Sequence, residues 1–422
     1  MKIKKYVLGL ALLLPTSLLN AQQPVGLTDC RQWAREVHPL LKQKELYRQL
    51  AELKIDNVQA SWFPQVDLNA QATYQSDVTN LGLSLPGVTI PRISKDQYKA
   101  YLDLKQAIWD GGIAKARKEI ERTQEASNQQ EVEVELYEVN EQVNQLFFSS
   151  FYLQQNLYLL EKKQQTLESR KHQMQSAFSH GALLASELDQ VLAELIKVKQ
   201  QQVELQTSRT SALAALAILT GKEIGDLEKL ELEISEQSLN DSIKRPEMNL
   251  FAQQQSVLAA SSDLAQKGRN PKFFGFGQAG YGRPALNMLN NDFDTFYLVG
   301  LGMSWTILDW KQTKREREAI QLQQELVQTK QVQFERSVEI ALDRERRIVA
   351  QTKALMAQDE ELIAVQERIT KSSAAKLENG AYTAADYLQD LNAELAARIN
   401  FELHKVQLEA AKVAYQTILG QQ

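Results

Sequence analysis

The chain has 422 residues and a formal net charge of −5 at pH 7, so it lacks the basic balance of a general nucleic-acid-binding protein. Its single cysteine, Cys30, excludes a disulfide framework or a cysteine-rich metal site within one chain. Glycine (18 residues) and proline (9 residues) are scarce for this length, which predicts long uninterrupted elements.

Residues 1–21 have the pattern of a secretory signal peptide. Lysines at positions 2, 4 and 5 precede a short apolar run, Val7–Leu14, and Ala21 ends a plausible cleavage site. The run is too short to span a membrane as a helix, although a buried N-terminal helix would look similar. No later stretch approaches 18 consecutive apolar residues, so we expect an exported chain that is either soluble or a β-type membrane protein.

The sequence contains an internal duplication. Landmark residues keep their spacing in both copies: 25 residues for Pro39–Pro64 and Pro246–Pro271, and 71 residues for Asp110–Gly181 and Asp309–Gly380. Matched spacing of this kind predicts two copies of one structural unit. After the signal peptide, the chain therefore divides into repeat one (22–221), an equatorial connector (222–244) and repeat two (245–422).

Each repeat is predicted to contain a helix, a β-hairpin, a very long helix and a further helix. The predicted ranges are 28–62, 65–109, 112–180 and 182–219 in repeat one, and 246–268, 272–308, 311–379 and 381–418 in repeat two. The predicted hairpin-to-helix junctions are Pro64, Asp110, Pro271 and Asp309, and the turns between paired helices are Gly181 and Gly380.

Apolar residues recur every seven positions along both very long helices. The first copy shows this period at Leu146, Leu153, Leu160 and Leu167, and the second shows it from Ile320 to Ile369. A sustained seven-residue period indicates nearly parallel helices that pack side by side. One helix over residues 113–179 would be about 100 Å long, which exceeds the size of an ordinary globular core.

The hairpin segments alternate apolar and polar residues. Gln65–Tyr74, 98–109 and 297–307 are each about ten residues long, which suits tilted outer-membrane strands. A half-buried strand of a soluble sheet would show the same alternation, and the export signal and long coiled coils favour the membrane alternative. Four strands cannot close a membrane barrel, so several chains must pool theirs. Dimers would give eight strands, trimers twelve and tetramers sixteen.

The stretch Lys272–Gly282 contains a literal G-x-G-x-x-G, which can mark a dinucleotide site. That fingerprint requires a helix at its end, whereas Arg283-Pro284 follows here. The repeat places the three glycines opposite Leu68, Ala70 and Thr73, so the first copy keeps the strand-like alternation without them. We therefore predict a strand and not a phosphate loop.

The chain resembles the TolC-like outer-membrane efflux protein family. The resemblance covers nearly the whole mature chain and is clearest in HPLLKQKELYRQLAELKIDNVQASWFPQVDLNA (38–70), LDLKQAIWDGG (102–112), RPEMNLFAQQQSVLAA (245–260) and GAYTAADYLQDLNAEL (380–395). It implies a mixed, mainly α fold in which coiled-coil hairpins form a periplasmic α-barrel. Four transmembrane strands per chain would contribute to a 12-stranded β-barrel shared by a homotrimer in the outer membrane. A periplasmic adaptor and an inner-membrane pump, of the RND or ABC type, are the implied partners.

The resemblance also implies a constriction at the periplasmic tip, near the turn glycines. Asp386 matches one acidic position of the family's tunnel entrance; the second position is Gln389, with Asp390 adjacent, and Glu187 is the equivalent of Asp386 in repeat one. The Arg and Tyr that lock the tip of some relatives correspond to Tyr382 and Leu377, so that lock is not matched. Asp386 has a second interpretation, as a residue that stabilises the start of a helix.

The sequence indicates a passive export duct and not an enzyme. Its four histidines show no metal-ligand spacing, and no P-loop, G-x-S-x-G or H-E-x-x-H motif is present, so no cofactor is expected. The expected role is the exit duct of a tripartite efflux or type I secretion system. The alternative is a periplasmic coiled-coil adaptor or structural protein without a membrane barrel.

Overall fold

The computed structural model describes residues 25–79, 93–181, 184–224, 230–231 and 242–421. The predicted signal peptide and most of the connector lie outside these residues. The elements in chain order are α1 Leu27–Val37, α2 Leu40–Ala60, β1 Gln65–Tyr74, β2 Asp96–Trp109, α3 Ile113–Ser179, α4 Ala185–Thr220, α5 Pro246–Lys267, β3 Lys272–Arg283, β4 Asp294–Ser304, α6 Gln312–Glu378 and α7 Ala384–Leu419.

The helix predicted over residues 28–62 is interrupted, which corrects that prediction. It is two helices, because α1 ends at Val37 and α2 begins at Leu40. Pro39 lacks a backbone N–H and disfavours a helical conformation at His38, so a helix tends to end at this point. The His38 ring nitrogen Nδ1 accepts a hydrogen bond from the Leu40 N–H at 3.3 Å and so satisfies one of the unpaired donors of the new helix.

The four strands form one antiparallel sheet in the order β1-β2-β3-β4. Its register aligns the apolar positions of all four strands on one face: Leu68 lies opposite Leu102, Leu102 opposite Ala279, and Ala279 opposite Tyr297. The G-x-G-x-x-G stretch lies inside β3, which confirms the prediction of a strand there.

Strand β4 ends three residues earlier than its alternation indicates. The pattern continues to Ile307, but the strand stops at Ser304. The last pair of the ladder is Lys272 with Ser304, and Pro271 precedes Lys272. Because proline offers no N–H, a partner beyond Ser304 would find no donor in β3.

The chain divides into two compact units, each described by itself. The first comprises Met1–Val37, Asn140–Ser238 and Ile348–Lys412, and the second comprises His38–Val139, Leu239–Arg347 and Val413–Gln422. In the first unit, apolar residues of α3, α4, α6 and α7 form one core, with Leu167, Val191 and Val198 fully buried. In the second unit, a smaller cluster joins Val338 and Leu342 of α6 to Tyr415 and Leu419 of α7. No helix within the described residues has the length and apolar character needed to cross a membrane.

Candidate functional site at the helix turns of the first unit

Two left-handed glycines terminate the very long helices. Gly181 follows α3 with φ +73°, and Gly380 follows α6 with φ +70°. After α6, the Ala381 N–H bonds to the Lys376 carbonyl at 2.9 Å and the Gly380 N–H to the Leu377 carbonyl at 3.1 Å. These bonds satisfy carbonyls that the end of a helix leaves unpaired, and the positive φ is why glycine stands at the turn.

Asp386 closes a capping box at the start of α7. Its carboxylate accepts from the Thr383 hydroxyl at 2.7 Å and from the Thr383 N–H at 3.1 Å, while its own N–H donates to the Thr383 hydroxyl at 3.2 Å. The bond from the Thr383 hydroxyl, followed by that from the backbone, holds the pKa of Asp386 below its usual range. Asp386 is exposed, so its carboxylate caps the helix and presents negative charge to solvent.

The other predicted tip residues occupy different environments. Gln389 is exposed one turn after Asp386. Asp390 accepts a hydrogen bond from the Ser373 hydroxyl of α6, which turns its carboxylate towards that helix. Tyr382 packs against the core of the first unit, with the Lys376 ammonium 4.6 Å from its ring centre. Glu187 is half-buried in the first turn of α4.

The predicted junction residues of the second unit are helix caps and strand starts. Each aspartate accepts from the backbone N–H groups two and four positions ahead, at 2.9 and 2.5 Å for Asp110 and at 3.1 Å for both bonds of Asp309. The two copies therefore cap α3 and α6 in the same way. Pro64 and Pro271 directly precede β1 and β3.

A seam of polar side chains on α3 was missed from the sequence. Asn156, Lys163 and Arg170 recur every seven residues beside the apolar seam, and we call these three residues the polar seam. Arg170 forms an ion pair with Glu378 at 2.8 Å, and its guanidinium lies 5.0 Å from the ring centre of Tyr387. An arginine thus links α3 to α6 and α7, although not at the positions that the family resemblance indicated.

Lys163 is a buried member of the polar seam with partners on two other helices. Its ammonium donates to Glu194 Oε1 of α4 at 2.7 Å and to Asn392 Oδ1 of α7 at 2.6 Å. Burial alone would raise the pKa of Glu194, but the hydrogen bond and charge of Lys163 outweigh it, and the pKa is lowered. Lys163 therefore joins both helices through one desolvated, charge-assisted contact.

The spacing of the polar seam was the signal available in the sequence. A lysine or arginine every seventh residue beside a leucine seam also occurs on solvated helix faces, so the pattern alone does not reveal the partners. Among the described residues, no group of three or more histidine, cysteine, aspartate or glutamate side chains is arranged to hold a metal ion.

Comparisons with known proteins agree with this fold. Residues 31–222 match the family model described as Outer membrane efflux protein. The structure is similar to the outer membrane protein VceC from Vibrio cholerae, with 14% identity, a TM-score of 0.67 and coverage of 94% of this chain and 96% of that chain. It is also similar to the Campylobacter jejuni CmeC outer membrane channel (16% identity, TM-score 0.62, coverage 93% and 85%). The open Neisseria gonorrhoeae MtrE outer membrane channel gives 15% identity, a TM-score of 0.63, and coverage of 94% and 89%. No curated protein matches the sequence.

A mainly helical chain with a four-stranded antiparallel sheet, built as two repeats, is the fold class predicted above, and that prediction is confirmed. The resemblance is supported over residues 31–222, which match the outer membrane efflux protein family. The solved structures that share its fold are outer membrane proteins, and those from Campylobacter jejuni and Neisseria gonorrhoeae are described as channels and not as enzymes.

Proposed function

We propose that the chain is one subunit of a homotrimeric exit duct in a tripartite efflux or type I secretion system, through which small molecules or proteins leave the cell. The observation that carries this proposal is a four-stranded sheet with two open edges and one exposed apolar face. Among the described residues, β1 pairs with β2 alone and β4 pairs with β3 alone. An open edge in lipid leaves backbone groups unpaired, so the edges must meet those of other copies.

The exposed side chains of the sheet support its placement in lipid. Leu68 is 76% exposed, Val299 79% and Leu301 80%, and all three lie on the same face. Such a large apolar surface on a soluble subunit would favour aggregation, whereas lipid would cover it. Three copies would supply twelve strands, the number that the family resemblance implies.

The proposed trimer predicts a definite mass. Light scattering of the detergent-solubilised protein, corrected for detergent, should give three chains per particle. Replacing the exposed apolar residues Val299 and Leu301 with serine should shift the protein out of the outer-membrane fraction, because the lipid-facing surface becomes polar. A monomer in mild detergent, or unchanged membrane insertion of the double variant, would contradict the shared barrel.

The proposed partners are a periplasmic adaptor and an inner-membrane pump of the RND or ABC type. The family assignment supports them in general terms, and the identity of the pump separates the two systems. Affinity purification from cells after mild chemical cross-linking should recover an adaptor together with one of the two pump classes. Recovery of the trimer with neither partner from cells that actively export would contradict the tripartite assembly.

We further propose that Asp386, with the exposed Gln389 beside it, lines a constriction at the tip. Three copies of an exposed carboxylate would focus negative potential and attract cations. In single-channel recordings, Asp386→Asn should reduce cation selectivity and block by divalent cations. Asp390→Asn is the matched control, because the Asp390 carboxylate is turned to Ser373 and should leave selectivity nearly unchanged.

A further inference from the structure

A groove in the first unit has the dimensions of a small-molecule site. It is lined by α3, α4 and α7 and has a volume of about 590 Å³. Leu160, Leu205, Leu395 and Ile399 provide an apolar wall. A groove of this size that combines an apolar wall with converging polar groups is a common form of ligand site.

Asn156 supplies the polar group that packing does not explain. It is 4% exposed and lines the groove, and its Oδ1 has no hydrogen-bond partner among the described residues. A buried acceptor without a donor is unfavourable, and nearly all such atoms in folded proteins are paired. The groove is therefore suited to a ligand that donates a hydrogen bond.

The other members of the polar seam show that Asn156 is the exception. Lys163 is paired with Glu194 and Asn392, and Arg170 is paired with Glu378. Both connect α3 to neighbouring helices, whereas the carbonyl oxygen of Asn156 contacts no donor on them. Contacts between helices therefore explain why Lys163 and Arg170 are polar. They do not explain Asn156, whose carbonyl oxygen is available to another molecule.

One carboxylate beside the groove has no partner of its own. Lys163 pairs with Glu194 at 2.7 Å, and the exposed Lys197 lies 3.6 Å from the same carboxylate, so these two lysines share one counter-charge. Glu204 also lines the groove; it is exposed, and its carboxylate forms no ion pair with the described residues. One uncommitted carboxylate and one unpaired amide oxygen suit a ligand with several N–H donors and a positive charge.

We propose that this groove binds a primary ammonium group carried on an apolar body, with Asn156 Oδ1 accepting from the ammonium and the leucine-lined wall covering the apolar part. This inference goes beyond the proposed channel function and does not depend on it, because the groove is formed within one chain.

Direct binding to the purified, detergent-solubilised full protein tests this inference. The probe is 1-naphthylmethylammonium, followed by isothermal titration calorimetry at pH 7. Two probes of similar shape serve as controls: neutral 1-naphthylmethanol and anionic 1-naphthylacetate. The amine should bind one site per chain, and both control probes should bind at least about tenfold more weakly, because the alcohol offers only an uncharged donor and the carboxylate offers none.

Four variants locate the site. Asn156→Leu should weaken amine binding by about tenfold or more, whereas Asn156→Asp keeps the acceptor and should bind at least as tightly. Ala396→Trp should abolish binding, because Ala396 is exposed on the wall and an indole there fills the groove. Asn140→Leu is the matched control: Asn140 is another buried asparagine of α3 that does not line the groove, so binding should be unchanged.

Three outcomes would overturn the inference: no binding of the amine to the wild type, equal or tighter binding of the acetate, or amine binding that survives both Asn156→Leu and Ala396→Trp. If Asn156→Leu does not assemble, Asn156→Asp and Ala396→Trp decide the question, since the first retains shape and polarity and the second changes an exposed position.

Discussion

Leu184 occupies the N-cap position of α4, which corresponds in the repeat to Thr383 before α7. Its backbone is already extended (φ −77°, ψ 146°), and it makes no side-chain cap. Leu184→Thr should create with Glu187 the capping box that Thr383 forms with Asp386, and stabilise the first turn by about 1 kcal/mol. Amide exchange of that turn should slow by about fivefold, as measured by hydrogen–deuterium exchange mass spectrometry.

The control for this substitution is Leu184→Val. Valine has the shape of threonine without the hydroxyl, and Leu184 is 70% exposed, so little packing changes in either variant. Equal protection in both variants would show that the hydroxyl does not cap α4.

Arg170 should couple energetically to Glu378. The ion pair joins a side chain that is 12% exposed to one that is 58% exposed, so screening limits its contribution. In a double-mutant cycle of Arg170→Met and Glu378→Gln, we expect a coupling energy of about 0.5–1 kcal/mol. The measurement is the urea concentration at which the helix ends around Arg170 and Glu378 lose half of their protection from hydrogen exchange. Purely additive effects would contradict a direct contact. As a control, Glu367→Gln should show no coupling to Arg170→Met, because Glu367 pairs with Arg398 and not with Arg170.

At the residue scale, the sequence indicated local contacts better than contacts between helices. Thr383 and Asp386 stand three residues apart before an apolar run, which is a recognisable capping box. Lys163 meets Asn392 across 229 positions, and nothing in the local pattern shows which helix faces which seam. The partners of the polar seam depend on helix packing, so the structure was required to find them.

At the element scale, the glycines of the G-x-G-x-x-G stretch should differ sharply in how well they tolerate substitution by alanine. A methyl group added at Gly280 would lie 2.5 Å from the Cβ of Tyr101 and 2.6 Å from the carbonyl oxygen of Ala100, whereas at Gly275 the nearest atom would be 3.9 Å away. Gly280→Ala should therefore destabilise the assembled protein by about 1–3 kcal/mol, and Gly275→Ala should be nearly neutral.

The measurement is the midpoint of urea unfolding in detergent, with the slope checked for constancy. Both substitutions lie in β3 and add the same methyl group, so strand propensity cancels between them. A phosphate-binding loop would instead require both glycines, and equal losses for the two variants would contradict the strand geometry.

Element types were predicted more reliably than element ends. The seven-residue period indicated α3 and α6, which are each 67 residues long. The end of β4 could not be deduced from the sequence. The alternation of apolar and polar residues shows which face of the sheet each side chain lies on, but it does not show where the neighbouring strand stops offering hydrogen bonds. The end of β4 is determined by Pro271, which lies before β3 in a different part of the sequence and has no N–H to pair with a residue beyond Ser304.

At the scale of the whole molecule, the duplication could be recognised in the sequence because its landmark residues are proline, aspartate and glycine. These residues perform backbone functions that few others can replace: a strand start, a helix cap and a left-handed turn. The number of chains in the assembly could not be predicted from the sequence. Open strand edges require partner strands, but they do not determine how many chains supply them. The trimer therefore stays a prediction for this chain, to be decided by its mass in detergent.

The pH dependence of ion selectivity tests the proposed constriction in the assembled channel. Because the hydrogen bonds from Thr383 lower the pKa of Asp386, its carboxylate should stay charged at pH values where an ordinary aspartate, with a pKa of about 3.9, is half protonated. Cation preference should therefore persist through pH 4 and decline only as the pH falls through the lowered pKa. Thr383→Val removes the hydroxyl donor, so the decline should begin at a higher pH. Reversal potentials in planar bilayers measure both, and identical pH profiles for the wild type and Thr383→Val would exclude Asp386 as the selectivity-determining group.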